Sequence, residues 1–449
     1  MISRTSALLL LALGGAGASA APAAPGIDSL LTEKWEEMDV RPAPLAGDAE
    51  FLRRLSLDLI GRVPTIEELG AFLAKPDRAA TIDELLARPE FPRFWSEVWT
   101  AMLNGYAGAF DSQRDALRFW LEKSFRENVP FDRMATELIA ASGVSSVDGA
   151  VNFILHNSVE PAIKVSRTFL GIRLDCARCH DHPFDRWTQK NYDDMARFFA
   201  PLQKEVVTAG STRVRDNPDL AGGPKPRFLT GAQPVTSRWR EDLAYFVTTS
   251  KPFARSFANR LWYHFLGRGI VDPPDDINLK NKPSVPRLLD FLADEATTRK
   301  FDVRAMVRLI CSSDAYRRSS RRSARDPKAE AVFACRVLKP LSPEQLFDSL
   351  ASALEAPEFR RRRDAFIRTF VSRSFGEDFS NVWRYRETVQ DVMTKLTLDL
   401  KAPGGSLDEL YLRILSRVPS ARERDLCQGR ATGDVAFALA NSNEFFFNH

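Results

Sequence analysis

The chain has 449 residues, of which 44% are hydrophobic and 27% charged, and its formal net charge at pH 7 is +4. This length and apolar content are enough for two or three packed domains. A charge this small, with both signs mixed along the chain, argues against a nucleic-acid-binding protein.

The first twenty residues have the pattern of a secretory signal peptide. Arg4 precedes the short apolar run Ala7–Leu13, and small residues lead to an A-S-A cleavage pattern at Ala18–Ala20. The run is too short to cross a bilayer, and no later stretch approaches about eighteen uninterrupted apolar residues. We therefore expect an exported protein, periplasmic or extracellular, with no transmembrane segment in the mature chain.

Helical periodicity dominates the rest of the sequence, and strand-like alternation is rare. Thr65 with Glu68 and Ser420 with Glu423 fit the capping box that opens a helix, and Ser342 starts a looser pattern. Two apolar stripes have helical spacing, namely Leu288, Leu289, Leu292 and Ala293, and Val303, Met306, Val307 and Ile310. The sequence predicts a mainly α, multi-helix fold with at most a few short strands.

Two segments far apart in the chain resemble each other. Residues 52–68 and 410–423 both read as an apolar helix, an Arg-Val-Pro turn and a capped second helix. The similarity indicates either two helical hairpins of one design or a common helix-turn-helix pattern that occurs twice.

An irregular segment rich in Gly, Pro, Asp and Asn covers 203–233 and lacks helical periodicity. It predicts a boundary between two packed helical domains, 27–202 and 234–449, and any short strands are expected there. Two Arg-rich runs, 317–325 and 359–366, are interpreted as solvated faces or loops rather than nucleic-acid contacts.

The chemistry of the chain is concentrated in the segment DCARCHDHPFDRW at 175–187. Cys176, Cys179 and His180 form the C-x-x-C-H pattern of c-type haem attachment. The two thiols lie about one helical turn apart, so each can add to one vinyl group of the same porphyrin, and the histidine then supplies the proximal imidazole. Attachment of such haem takes place outside the cytoplasm, which agrees with the signal peptide.

Other uses of the same atoms stay open. Cys176 and Cys179 with His180, His182 or Asp185 have the donor types of a zinc-like structural metal site. A redox-active dithiol or a disulfide between the two cysteines is a further alternative. As sixth haem ligand, His182 is too close to His180 in sequence to reach the opposite face.

Met195 lies on the next helix, which Thr188 is expected to cap, and core packing is the preferred interpretation of this side chain. The aromatic run before Asn448 and His449 suggests that the end of the sequence docks on the protein. One hypothesis is that His449 or His264 returns to the 176–182 segment, and docking for packing alone is the simpler one.

At this point the sequence resembles a known pair of families. Residues 51–73 and 169–200, including FLRRLSLDLIGRVPTIEE and CARCHDHPFD, resemble the planctomycete cytochrome-associated domain of unknown function fifteen forty-nine (PSCyt-type). Residues 252–277, 288–320, 340–350 and 439–449 resemble its usual C-terminal partner, fifteen fifty-three (PSD-type). The resemblance implies that Cys176, Cys179, His180, Asp181 and His182 match the family's Cys-x-x-Cys-His-Asp-His segment.

The resemblance implies no activity, because both families are uncharacterised. Three functions therefore follow from the residues: an exported c-type haem protein acting with a redox partner, a cell-envelope binding or scaffold protein with a structural Cys/His metal site, or a metal-dependent enzyme. The sequence shows no nucleophile elbow, phosphate-binding glycine loop or H-E-x-x-H helix. This absence makes the enzyme the least favoured of the three.

Overall fold

The computed structural model describes residues 26–106, 112–155, 160–320, 326–354, 359–374 and 404–449, so the predicted signal peptide lies outside the described residues. The first part of the chain is built from helices. They are α1 Ile27–Glu37, α2 Asp48–Ile60, α3 Ile66–Ala74, α4 Arg78–Ala87, α5 Glu90–Asn104, α6 Ser112–Arg126, α7 Phe131–Ala140, α8 Asn152–Leu155, α9 Pro161–Val165 and α10 Gln189–Arg197.

The second part is also helical. Its helices are α11 Trp239–Thr248, α12 Lys251–Leu266, α13 Pro286–Thr298, α14 Val303–Cys311, α15 Asp314–Arg317, α16 Pro327–Ala331, α17 Pro343–Ala353, α18 Arg363–Ser374, α19 Leu407–Leu415, α20 Ala421–Cys427, α21 Thr432–Ala440 and α22 Asn443–Phe446. The prediction of a mainly α fold is confirmed.

The strands are few, short and antiparallel. They are β1 Gly143–Val144, β2 Leu202–Thr208, β3 Ser211–Asp216, β4 Lys339–Pro340 and β5 Phe447–Asn448. A hairpin of β2 and β3 lies at the start of the predicted irregular segment, and β1 pairs with the other side of β3. The second sheet joins β4 to β5, so it pairs the last described residues with the strand that precedes α17.

Most helix starts follow local rules that the sequence contains. Thr65 and Ser420 both form complete capping boxes, each with the glutamate three residues later. At Ser342 the reciprocal partner is Gln345 rather than the neighbouring glutamate. Both predicted apolar stripes, on α13 and α14, are buried.

Two large clusters of buried apolar side chains make up most of the core of the described chain, and a third consists of Ala101 and Tyr106. Of the two large clusters, the larger one draws on residues between 27 and 335, on both sides of the irregular segment, and the smaller one mainly on residues between 341 and 446. Helix α2 contributes to both, because Leu55 and Leu59 belong to the larger cluster and Leu57 belongs to the smaller. It is therefore buried on more than one face and joins the two clusters.

The two similar segments fold into matching hairpins. Arg62 follows the first helix of one hairpin and binds Glu68, with Nη1 2.9 Å from Oε2, while it also donates to the carbonyl of Val63. In the other hairpin Arg417 binds Glu423, with Nη2 2.7 Å from Oε1, and its Nη1 donates to the next residue's carbonyl in the same way. The interpretation as two hairpins of one design therefore agrees with the structure.

Candidate functional site

The Cys/His segment forms a surface turn between a buried π-helical turn, Ser166–Leu170, and helix α10. Gly171 ends the π turn with φ +67°, a left-handed conformation that favours glycine, and its carbonyl accepts a hydrogen bond from the amide of Ile277. A β-carbon at Gly171 would lie 2.8 Å from the Ile277 side chain. The chain therefore leaves the helical core at Gly171, where a residue with a β-carbon would be strained and would clash with Ile277.

Residues Cys176–Arg178 make a single 3-10 turn that presents the two thiols to solvent. Cys176 and Cys179 are both exposed and are free thiols, whereas Ala177 between them is fully buried in the main core. Leu174 just before the turn is also fully buried. Two apolar anchors therefore fix the backbone while both sulfurs stay accessible.

The ring of His180 is oriented by the backbone. Its Nδ1 lies 2.8 Å from the carbonyl oxygen of Asp181, which can only accept, so Nδ1 carries the proton in the neutral imidazole. The lone pair is then on Nε2 of an exposed side chain. A backbone carbonyl at the distal nitrogen is the common way in which proteins orient an imidazole that ligates a metal.

His182 has the opposite arrangement. Its Nδ1 accepts a hydrogen bond from the amide of Phe184 at 3.2 Å, so the neutral ring carries its proton on Nε2. Its own amide donates to the carbonyl of Trp187 at 2.8 Å, which closes a small loop over a buried indole. His182 therefore stabilises the turn through its hydrogen bonds, and in this tautomer its Nε2 has no lone pair with which to bind a metal.

Two acidic side chains of the segment, Asp181 and Asp185, accept hydrogen bonds from backbone amides. Asp181 Oδ1 accepts from the amide of Gln189 at 2.9 Å, at the start of α10, where Thr188 completes a capping box. Asp185 Oδ1 accepts from the amide of Arg186 at 2.8 Å. Across the described residues, no group of three or more His, Cys, Asp and Glu side chains is arranged to hold a metal ion.

A buried carboxylate connects this turn to the second half of the chain. Asp275 accepts from Arg167 Nη2 at 2.7 Å and from Arg173 Nη2 at 2.8 Å. Burial raises the pKa of Asp275, but the charges of Arg167, Arg260 and Arg173 outweigh burial and hold the pKa below its usual value. Arg260 on α12 also donates to the carbonyls of residues 167 and 168, so it anchors the π turn from the other side.

The aromatic residues after the cluster divide between core and surface. Trp187, Tyr192 and Phe198 are buried in the main core, as is Met195, which agrees with the packing interpretation of that methionine. Phe184 is 60% exposed, and Lys280 lies over its ring with Nζ 4.3 Å from the centroid. Of these aromatic side chains, Phe184 is the exposed one, and it lies on the turn itself.

His264 and His449 both contact helix α2. Nε2 of His264 lies 3.2 Å from the carbonyl oxygen of Asp58, and the carbonyl of His449 accepts from Arg54 Nε at 3.1 Å. Asn448 Nδ2 donates to Asp58 Oδ1 at 2.8 Å. The hypothesis that either histidine returns to the 176–182 segment is wrong, and the end of the sequence docks through packing and hydrogen bonds.

Sequence reasoning missed the buried charges around Asp58. Lys339 Nζ and Asn448 contact its Oδ1, Tyr316 donates to its Oδ2 at 3.0 Å, and Arg336 Nη2 lies 3.4 Å from the same oxygen. All of these side chains are buried. Asp58 and the residues that contact it are too far apart in the sequence for any local pattern to connect them.

The structure describes no helix with both the length and the apolar character needed to cross a membrane.

Comparison with known proteins finds two family models that match the chain. Residues 26–204 match PSCyt2, a protein of unknown function (DUF1549), and residues 239–369 match PSD1, a protein of unknown function (DUF1553). No curated protein and no solved structure matches the chain. The predicted resemblance is confirmed, and the chain carries a DUF1549 domain followed by a DUF1553 domain.

Proposed function

We propose that this is an exported protein that carries haem c on Cys176 and Cys179, with His180 as proximal ligand, and that it exchanges electrons with a redox partner outside the cytoplasm. The observation that carries the proposal is the hydrogen bond from His180 Nδ1 to the Asp181 carbonyl. This bond leaves the Nε2 lone pair of an exposed imidazole available, directly after two accessible thiols.

The chain's own residues account for the steps that the proposal needs. Each exposed thiol would add across one vinyl group, so that a sulfur–carbon bond forms and the thiol hydrogen goes to the neighbouring carbon. Buried Ala177 holds the turn in place, so both sulfurs are presented together. When bound, haem supplies a reversible one-electron iron couple.

The signal-peptide pattern at the start of the sequence supports export. The alternative is a cell-envelope binding or scaffold protein in which a zinc-like ion is held by Cys176, Cys179 and His180, His182 or Asp185. The geometry of the turn disfavours it, because His182 Nδ1 already accepts from a backbone amide and, across the described residues, no three His, Cys, Asp or Glu side chains are arranged to hold a metal ion. A zinc site at Cys176, Cys179 and His180 would therefore need these side chains to come closer together.

The test is expression in the periplasm of a host that has haem-maturation machinery, followed by haem staining of a denaturing gel and zinc analysis. We expect a covalently haem-stained band and a pyridine haemochrome spectrum of a haem with two thioether bonds. Cys176→Ala with Cys179→Ala should abolish the stain, while Cys311→Ala, at a buried cysteine of the core, should retain it.

The two histidines form a matched pair of variants. His180→Ala should lose the spectrum of an imidazole-ligated iron, and His182→Ala should keep it, because only His180 presents a free Nε2 lone pair. A sample without covalent haem, or one with bound zinc instead, would overturn the proposal. Equal effects of the two histidine variants would overturn the assignment of His180 as the ligand.

A further inference from the structure

A cavity of about 690 Å³ lies between the two family domains, remote in sequence from the Cys/His segment. Its walls come from α5 and α6 and the turn before α3 in the first domain, and from α17 and α18 in the second part of the chain. Small-molecule sites have volumes of this order and occur preferentially between domains.

The inner wall of the cavity carries charged groups that are largely removed from solvent. Glu97 and Glu344 are each 7% exposed. Arg363 Nη2 lies 2.9 Å from Glu97 Oε2 and 2.9 Å from Asp348 Oδ2, and Tyr106 donates to Glu344 Oε2 at 3.2 Å. Three carboxylates therefore converge on the same part of the wall.

Burying these charged side chains costs folding free energy that apolar side chains in the same positions would not cost. Burial raises the pKa of Glu97, and although Arg363 lowers it, the neighbouring charges of Asp348 and Glu344 raise it further. Replacing buried ion pairs by apolar side chains is often neutral or stabilising, so stability alone does not account for them. A carboxyl group perturbed by burial and charge inside a cleft is typical of a functional site.

The described side chains that line the cavity include many charged groups, with equal numbers of positive and negative charges. The positive charges are those of the arginines Arg62, Arg93, Arg114, Arg118, Arg363 and Arg368. The formal charges cancel, so the cavity as a whole favours neither a strong anion nor a strong cation. Guanidinium groups supply paired donors and carboxylates supply paired acceptors.

We propose that this cavity binds an uncharged, polyhydroxylated ligand, namely a short saccharide. Adjacent hydroxyl groups both donate and accept, so they match a wall that carries both guanidinium donors and carboxylate acceptors. This proposal does not depend on haem, because no residue of the 175–187 segment lines the cavity.

The test is isothermal titration calorimetry of the full chain with cellobiose, maltotriose and chitotriose, and with phosphate and citrate as anionic probes. We expect at least one neutral saccharide to bind and the anions not to bind. Arg93→Gln, at a side chain that is 49% exposed and therefore tolerant of substitution, and Glu344→Gln should weaken this binding at least about tenfold.

Glu205→Gln is the matched control, because Glu205 is an exposed partner of Arg213 on the hairpin, 51% exposed and outside the cavity. Its saccharide affinity should equal that of the unmodified protein. The proposal is wrong if none of the three saccharides binds, if the anions bind instead, or if Arg93→Gln binds saccharide as tightly as Glu205→Gln does.

Discussion

Asp58 shows what one buried carboxylate does for this protein. Burial raises its pKa, but the charges of Lys339 and Arg336 outweigh burial and hold the pKa below its usual value. The side chain is therefore an anion that compensates two cations, all of them without exposure to solvent. Removing the anion would leave the two cations buried and uncompensated.

We therefore expect Asp58→Asn to lower the free energy of unfolding by about 3–5 kcal/mol, measured by urea denaturation at pH 7. Asp83→Asn is the control, since Asp83 is 55% exposed in its pair with Arg308 and should cost less than about 1 kcal/mol. Similar small changes in both variants would show that the buried network contributes little to stability.

His264 predicts a loss of stability on acidification. Burial, assisted by the charge of Lys339, lowers its pKa from 6.5 to about 3, so the folded protein keeps this imidazole neutral where the unfolded chain binds a proton. Between these two pKa values the unfolded state binds more protons, so stability falls as the pH falls below about 6.5, by about 1.4 kcal/mol per pH unit.

The measurement is the free energy of unfolding at pH 7 and pH 5.5 for the unmodified protein and for His264→Gln, which keeps a donor for the Asp58 carbonyl. We expect the unmodified protein to lose about 1 kcal/mol more than the variant over this interval. His449, whose pKa burial lowers to about 4, titrates in both proteins and cancels in the comparison. Equal losses would contradict the assignment.

At the residue scale, the sequence shows which side chains could bind a metal or haem, but it does not show which of their atoms already make hydrogen bonds within the protein. The C-x-x-C-H spacing identified Cys176, Cys179 and His180, yet only the fold shows that His182 accepts from a backbone amide. The Asp58 network was not predictable, because its contact with Asn448 joins positions 390 residues apart. Arg363 lies in an Arg-rich run that was interpreted as solvated, and the structure pairs it with Glu97 and Asp348.

At the scale of elements, the two Arg-Val-Pro hairpins differ at one informative position. The first helix of each ends in a left-handed residue, which is Gly61 with φ +76° in one hairpin and Ser416 with φ +57° in the other. A β-carbon on Gly61 would lie 2.4 Å from the ring of Phe94, whereas Ser416 is 2% exposed and its hydroxyl has no hydrogen-bond partner.

Exchanging the two residues should therefore have opposite effects. Ser416→Gly should raise the free energy of unfolding by about 1 kcal/mol, because it relieves a left-handed β-carbon and removes a buried unsatisfied hydroxyl. Gly61→Ser should lower it by about 2 kcal/mol or more, since it adds strain and a steric conflict with Phe94. Urea denaturation of both variants tests this, and changes of the same sign would contradict it.

Elements were the most predictable part of this structure, because their signals are local. A capping box spans four residues, so the starts of α3 and α20 could be predicted from Thr65 and Ser420 without any knowledge of the fold. At Ser342 the same rule holds with Gln345 as partner. The cavity between α5, α6, α17 and α18 gave no such signal, because it exists only once distant helices pack together.

At the scale of the whole molecule, the sequence divides the chain at 203–233, and whether 27–202 and 234–449 fold separately stays a prediction. The buried clusters suggest a different organisation, since the larger one includes side chains from before and after this segment. Helix α2 contributes Leu55 to the larger cluster and Leu57 to the smaller. A helix shared in this way couples the stability of both clusters.

We therefore expect one cooperative transition in differential scanning calorimetry. Leu55→Ala and Leu57→Ala should each shift the whole transition to lower temperature, with a loss of about 2–5 kcal/mol, because each leaves a cavity beside a helix on which both clusters depend. Leu279→Ala, at a side chain that is 64% exposed, is the control and should change stability by less than about 0.5 kcal/mol. Two separate transitions, of which Leu57→Ala moves only one, would mean that the clusters unfold independently despite the helix that they share.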